Sequence, residues 1–298
     1  MTKDRKGSNL RKILVATDFS PRAEIAIERA VQLAEEHSAT LTVLHVMTEA
    51  LREQAGKRQI ALKMEKDLRR KLIALSPRHE NTMTIQVTIG TPFVEIIRRA
   101  RKEAVDITLV GAHGAQFIKD LLLGTTAEKI VRKGDRPVLV VKRPVRAPYR
   151  NVLLPTDFTD PSRQALEFAM RVAPEAKYQL LHVFQGIEGQ LRRAGFAKSE
   201  IQRYRQQAAH QSREEMTQFI RRLGLDGTSI SRLLRYGRPP HVITSVAQGL
   251  RPNLVCVGSA GRTGLPHILL GSVAEHVLRE APCDVLVVRS GTARFELP

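Results

Sequence analysis

Residues Gly258–Ser272, GSAGRTGLPHILLGS, follow the apolar run NLVCV and precede the helix-like run VAEHVLRE. Three of its four glycines, Gly258, Gly261 and Gly271, mark out one long irregular turn that finishes on a hydroxyl. The spacing recurs 147 residues upstream, where Gly111–Thr125, GAHGAQFIKDLLLGT, follows ITLV. At the same offset Gly90 answers Gly237, Glu128 answers Glu275, and VLVV at 138–141 answers VLVV at 285–288. Near the start of each half KILVATDFSP (12–21) matches NVLLPTDFTDP (151–161), and LTVLHV (41–46) matches LLHV (180–183). One unit is therefore written twice.

The 298 residues suffice for two domains, each with its own core. Their junction falls in VKRPVRAPYRN, where Pro144 and Pro148 sit among basic residues directly after a strand, as in a short exposed linker near 143–149. We divide the chain into domains 1–145 and 146–298. The halves differ chiefly in the middle: 55 residues separate His182 from Gly237 but 45 separate His45 from Gly90, which places an insertion of ten in the second half.

Within each half, short Val/Leu/Ile runs alternate with stretches of helical period. In the first half the strands are ILVAT, TLTVLHV, TIQVTIG, DITLVG and PVLVVK, and the helices are AEIAIERAVQLAEE, about 49–75, Pro92 to about Ala104, and TAEKIVRK. Ser20 and Pro21 supply a cap and a first-turn proline for the first helix. The pattern predicts two tandem open α/β sandwiches, each a five-stranded, mostly parallel, Rossmann-like sheet covered by helices on both faces. Such sheets take ligands beyond the carboxyl ends of their strands.

Asp18 and Asp157 come directly after a strand and before a helix. A carboxylate there accepts from a nucleobase amine or ribose hydroxyl, or else caps the following helix. Gly111 and Gly258 end a strand where a ligand can approach the backbone, and Gly114 and Gly261 follow at a spacing that suits positive φ. Gly124-Thr125 and Gly271-Ser272 then open a helix. Thr125-Thr-Ala-Glu128 and Ser272-Val-Ala-Glu275 fit a capping box, with the hydroxyl as cap. A helix start with free N–H groups suits a triphosphate; the plain alternative is a helix start without a ligand.

Other chemistries are excluded. Neither loop carries G-x-x-x-x-G-K-[ST], and the first strand–helix turn lacks G-x-G-x-x-G. Ser259 has no nucleophile-elbow context. His45 and His182 read as structural, while His113 and His267 lie in the loops of one repeat each. No general base is paired with a positioned nucleophile, so the sequence favours binding over turnover, at most a slow ATPase. Cys256 and Cys283 read as reduced structural residues. No apolar run approaches membrane-spanning length, and a cytoplasmic location is the default expectation. The net charge of +18 favours encounters with RNA or other polyanions, although most basic clusters read as solvated helix faces.

Together these motifs resemble the universal stress protein family in its tandem form. Its nucleotide-binding members carry G-x2-G-x9-G-[S/T], matched by Gly111, Gly114, Gly124, Thr125 and by Gly258, Gly261, Gly271, Ser272. The aspartate after the first strand, the LHV strand, the G-x-P copies Gly90-Thr-Pro92 and Gly237-Arg-Pro239 and the closing VLVV match as well. The resemblance implies ATP as ligand, with Asp18 and Asp157 at the adenine or ribose end and the backbone of Val46 and Val183 against the base. Ribose and phosphates then fall to Gly111, Gly114, Gly124, Thr125 and Thr126, and to Gly258, Gly261, Gly271, Ser272 and Val273. Magnesium on the phosphates is implied without any named protein ligand.

Arg262 in the second loop stands where the first has Ala115, which favours the second site as the tighter. Asp284 replaces Pro137 and is expected to reshape entry to the last strand. The resemblance further implies an intramolecular pseudo-dimer joined through the two VLVV strands, with further homo-oligomers left open. The leading reading is a stress-response regulatory protein that holds nucleotide as a ligand. The second is a nucleotide-free scaffold or polyanion-binding protein.

Overall fold

The computed structural model describes residues 9–48, 57–77, 82–112, 124–186, 188–225, 230–259, 270–289 and 295–296. In the first half, β1 (Lys12–Thr17), α1 (Pro21–His37), β2 (Thr40–Met47), α2 (Lys57–Leu75), β3 (Met83–Ile89), α3 (Pro92–Lys102), β4 (Ile107–Gly111), α4 (Thr125–Lys133) and β5 (Val138–Val141) alternate as predicted. The second half repeats them with β6 (Asn151–Thr156), α5 (Asp160–Val172), β7 (Lys177–Phe184), α6 (Glu188–Arg193), α7 (Lys198–Arg222), β8 (Ile230–Tyr236), α8 (Pro239–Leu250), β9 (Leu254–Gly258), α9 (Ser272–Glu280) and β10 (Asp284–Val288). The second half has the longer helix before its third strand, 25 residues in α7 against 19 in α2. Of the helix expected over 49–75, the first eight residues lie outside the described ones.

The strands form a single ten-stranded sheet in the order β3-β2-β1-β4-β5-β10-β9-β6-β7-β8. Pairing is parallel within each half and antiparallel only where the halves meet, with Val140 opposite Val285, Leu139 opposite Leu286 and Val138 opposite Val287. The two VLVV runs are therefore hydrogen-bonded neighbours, which makes the chain an intramolecular pseudo-dimer. On one face the apolar stripes of α1, α2, α5 and α7 pack over Ile13, Val15, Leu41, Val43, Leu180 and Cys256. On the other, α3, α4, α8 and α9 cover Leu14, Leu44, Val140, Leu181 and Val285. Because both faces of the central strands are buried, their runs are continuously apolar rather than alternating.

Entry to the last strand differs as expected: β10 begins at Asp284 itself, whereas β5 begins one position later, after Pro137. Its carboxylate is buried and gathers groups from the linker and the first half. Oδ1 accepts the backbone N–H groups of Lys142 (2.8 Å) and Arg143 (3.1 Å), and Oδ2 accepts the Tyr149 hydroxyl at 2.6 Å. The Arg29 guanidinium of α1 lies 3.6 Å away, stacks 4.1 Å over the Tyr149 ring and donates to the Ala147 carbonyl. The linker is therefore fastened at both ends, and Tyr149 is buried rather than exposed. Asp284 gives Arg29 a buried counter-charge that a proline, its counterpart in the first half, does not offer.

Other contacts cross the midline. Arg171 pairs with Asp106 at 3.5 Å, Arg132 of α4 reaches Glu275 of α9 at 2.9 Å, and the His37 ring meets the Val172 carbonyl at 3.1 Å. Burial pushes the His37 and His45 imidazoles below their ordinary 6.5, the hydrogen bonds to Val172 and Thr17 opposing it only in part.

Two outcomes follow. Asp284→Ala leaves Arg29 buried without its counter-charge and lowers the free energy of unfolding by ~3 kcal/mol or more, whereas the paired change Asp284→Leu with Arg29→Met recovers most of it. Chemical denaturation measures both, and a loss under ~1 kcal/mol for Asp284→Ala contradicts the network's role. The folded chain keeps His37 and His45 neutral while the unfolded chain takes up protons as pH falls through 6.5, so stability is present above that value and is lost below it. Melting temperature should fall between about pH 7.5 and about pH 5.5, less steeply in His37→Gln; a flat or rising profile contradicts this.

Candidate functional site

In each half the strand order reverses between the first and fourth strands. β1 pairs with β2 on one side and β4 on the other, and β6 does the same with β7 and β9. Crossover helices leave these two neighbours in opposite directions, which opens a crevice at their carboxyl ends. Asp18 follows β1 and Gly111 ends β4; Asp157 follows β6 and Gly258 ends β9. Val46 and Val183, near the ends of β2 and β7, occupy the same edge. The predicted residues within the described chain thus converge on one edge of each half.

The turn that carries the aspartate is built alike twice. Asp18 Oδ1 accepts the Ser20 N–H at 3.0 Å, and Asp157 Oδ1 accepts the Thr159 N–H at 3.2 Å and the Thr159 hydroxyl at 2.5 Å. Capping of α1 itself falls to Ser20, whose hydroxyl accepts the Ala23 N–H at 3.2 Å, with Pro21 in the first turn as predicted. Asp18 therefore shapes the approach to the helix rather than capping it.

The residue after each aspartate is forced into left-handed backbone, Phe19 at φ 62° and Phe158 at φ 66°. For a bulky side chain this costs ~1–3 kcal/mol and persists only when the surroundings over-determine it. Here they do. The phenylalanine N–H groups donate to Thr17 Oγ1 (3.1 Å) and Thr156 Oγ1 (3.0 Å). The rings lie 4.7 Å from His45 and 4.2 Å from His182, whose Nδ1 atoms meet the Thr17 and Thr156 carbonyls at 2.8 Å. The histidines are structural, as predicted, but Phe19 and Phe158 were missed as the groups that set the aspartates' turn. The signal was present in the paired recurrence of TDF and LHV.

The glycine loops close on themselves at the base. Gly124 N–H donates to the Ala112 carbonyl at 2.7 Å, and Gly271 N–H donates to the Ser259 carbonyl at 2.8 Å. The capping-box expectation is corrected: the caps are Gly124 and Gly271 in extended backbone, and Thr125 and Ser272 are the first helical residues. Glu128 and Glu275 then fall one position too late to reach back, and pair with Arg132 and Arg279 instead. Neither cap glycine offers a side-chain acceptor, and among the described residues no side chain accepts from the first-turn N–H groups around Thr125-Thr126 and Ser272-Val273.

Packing gives a reason for Gly111 and Gly258. A Cβ on Gly111 would stand 2.8 Å from the Arg22 carbonyl oxygen, and one on Gly258 would stand 2.9 Å from that of Pro161. These glycines allow α1 and α5 to start tight against β4 and β9. Among the described glycines, the G-x-P copies adopt positive φ, 150° at Gly90 and 139° at Gly237.

Gly114, Gly261, Arg262, His113 and His267 lie outside the described residues. Both cysteines are buried and reduced, with desolvation pushing the Cys283 thiol up to about 12 and the Cys256 thiol higher still. Among the described residues no cluster of three His, Cys, Asp or Glu side chains stands ready for a metal, and no helix is long and apolar enough to cross a membrane. The arrangement can bind an anion at each helix start and hydrogen-bond donors at each aspartate.

The universal stress protein family model matches residues 9–142 and again 148–289. A universal stress protein of Mycolicibacterium smegmatis is 25% identical over 298 residues, spanning 93% of this chain and 96% of its own. Another, from Methanocaldococcus jannaschii, is 30% identical over 154 residues, 45% of this chain and 95% of its own. The crystal structure of a universal stress protein from Archaeoglobus fulgidus shares the fold, with a TM-score of 0.70 at 21% identity over 94% of this chain and 98% of that one. With both halves matched across nearly their whole length, the chain belongs to the universal stress protein family and carries two copies of its domain.

Proposed function

We propose that each half binds an adenine nucleotide, ATP foremost, and that the protein acts in the stress response as a regulator for which nucleotide is a ligand rather than the substrate of an efficient reaction. The observation that carries this reading is the pair of glycine-capped helix starts, each beside a switch-point crevice whose other wall bears an aspartate. First-turn N–H groups and the helix dipole favour phosphate, and a carboxylate across the crevice favours hydroxyl or amine donors, so the two ends match the two ends of a nucleotide.

In this reading Asp18 and Asp157 take the ribose or base, and the backbone of Val46 and Val183 lies along the base. Gly111, Gly114, Gly124, Thr125 and Thr126 hold the ribose and phosphates of the first site. Gly258, Gly261, Gly271, Ser272 and Val273 hold those of the second, where Arg262 adds a charge that the first site lacks. A divalent ion, magnesium in the first place, is carried by the phosphates.

Isothermal titration with ATP tests the proposal. Two binding events are expected, with Gly124→Leu removing the first, Gly271→Leu the second, and Arg262→Ala weakening the second alone. No heat at millimolar ATP, or full binding by the Gly124→Leu/Gly271→Leu chain, contradicts it.

A further inference from the structure

In the second half α6 and the start of α7 form an arm. From Gln202 to Gln207 every residue of α7 is exposed; the arm's own anchors are Leu191 of α6 and Ile201 of α7, and the next buried residue is Ser212. Along this arm Arg192, Arg193, Lys198, Arg203 and Arg205 meet only two acids, Glu188 and Glu200. Both acids are already engaged: Glu200 accepts the Ala197 N–H at 2.8 Å, and Glu188 bonds the Tyr236 hydroxyl. Among the described residues no carboxylate forms an ion pair with any of the five cations.

The equivalent helix of the first half differs. There Arg69 pairs with Glu65, Arg70 with Asp67 and Lys71 with Glu24. Three neighbouring cations of α2 are thus paired with carboxylates, whereas none of the arm's five is, among the described residues. The arm also bears exposed aromatic rings, Phe196 at 39% and Tyr204 at 46% exposure, with centroids 6.3 Å apart. Arg205 lies 4.3 Å over the Tyr236 ring and links the arm to β8, the edge strand of the sheet, where Arg232 and Arg235 are exposed.

We infer that the arm and the adjoining β8 edge form a docking face for single-stranded nucleic acid. Phosphates neutralise Arg192, Arg193, Arg203 and Arg232, and bases stack on Tyr204 and Phe196. Interleaved aromatics give this occupant an advantage over an acidic protein, which needs the charges alone. The exposed run Gln202-Arg-Tyr-Arg-Gln-Gln207 has no apolar face to enter a membrane, while its amides suit base edges. The inference is independent of nucleotide binding in the crevices.

Fluorescence anisotropy with a short labelled single-stranded RNA of mixed sequence, using the whole chain at low salt, tests it. Arg192→Glu with Arg203→Glu should weaken binding about tenfold or more, while the charge-matched Arg69→Glu with Arg70→Glu changes it about twofold or less. Tyr204→Ala, which leaves the charge alone, should weaken binding about fivefold or more. Circular dichroism checks folding, and Arg192→Ala with Arg203→Ala replaces the first pair if that chain misfolds. Equal losses from both charge pairs, an inert Tyr204→Ala, tighter binding to polyglutamate or to phosphatidylglycerol vesicles than to RNA, or no RNA binding each overturn the inference.

Discussion

The antiparallel pairing of β5 with β10 is the constraint on which the rest of the molecule depends. It is the single antiparallel step in an otherwise parallel sheet, and it turns two similar halves into one continuous ten-stranded layer. Because strand direction reverses there, the carboxyl edges of the two halves face opposite ways, and the two crevices open on opposite edges of the sheet. The helices that start at the glycine loops, α4 and α9, nevertheless meet near the midline through Arg132 and Glu275. Two separated sites thus share one packed spine.

That spine is held by an asymmetric device. A strictly symmetric junction would carry an aspartate before each closing strand, but the first half has Pro137 and only the second has Asp284. One buried carboxylate gathers two backbone N–H groups, a tyrosine hydroxyl and a guanidinium, contributed by the linker and by α1. Buried charge is tolerated because the first half and the segment between the halves supply its partners. The two copies of the domain have diverged so as to interlock, and the long arm of α6 and α7 is a second divergence, built outward rather than inward.

Much of this was legible in the sequence because it rests on local rules. The 147-residue repeat gave the tandem architecture, alternating apolar runs gave the parallel strands, and Ser20-Pro21 marked the start of α1. What was not legible depends on contacts between distant residues. Thr125 and Ser272 look like caps, yet the loop base tied by Ala112 and Ser259 places the extended residue one position earlier, on glycine. The close approach of the Arg22 and Pro161 backbone to Gly111 and Gly258 gave no local sign either. Asp284 looked like a local change at a strand entry, and its reason lies at Arg29 and Tyr149. Phe19 and Phe158 were marked only by the joint recurrence of TDF and LHV, because their left-handed backbone depends on packing against a histidine from the next strand.

The functional account joins these parts: strained TDF turns present the aspartates, glycine-capped helices present their N–H groups, and the junction holds both pairs in place. Its central claim is that each half holds one adenine nucleotide. Native mass spectrometry of the whole chain, followed by identification of what leaves on denaturation, tests this most directly. Complexes of one and two adenine nucleotides per chain are predicted, the doubly occupied form disappearing in Gly271→Leu. A chain that remains at its apo mass throughout an ATP titration, or that releases a ligand without an adenine ring, contradicts the account.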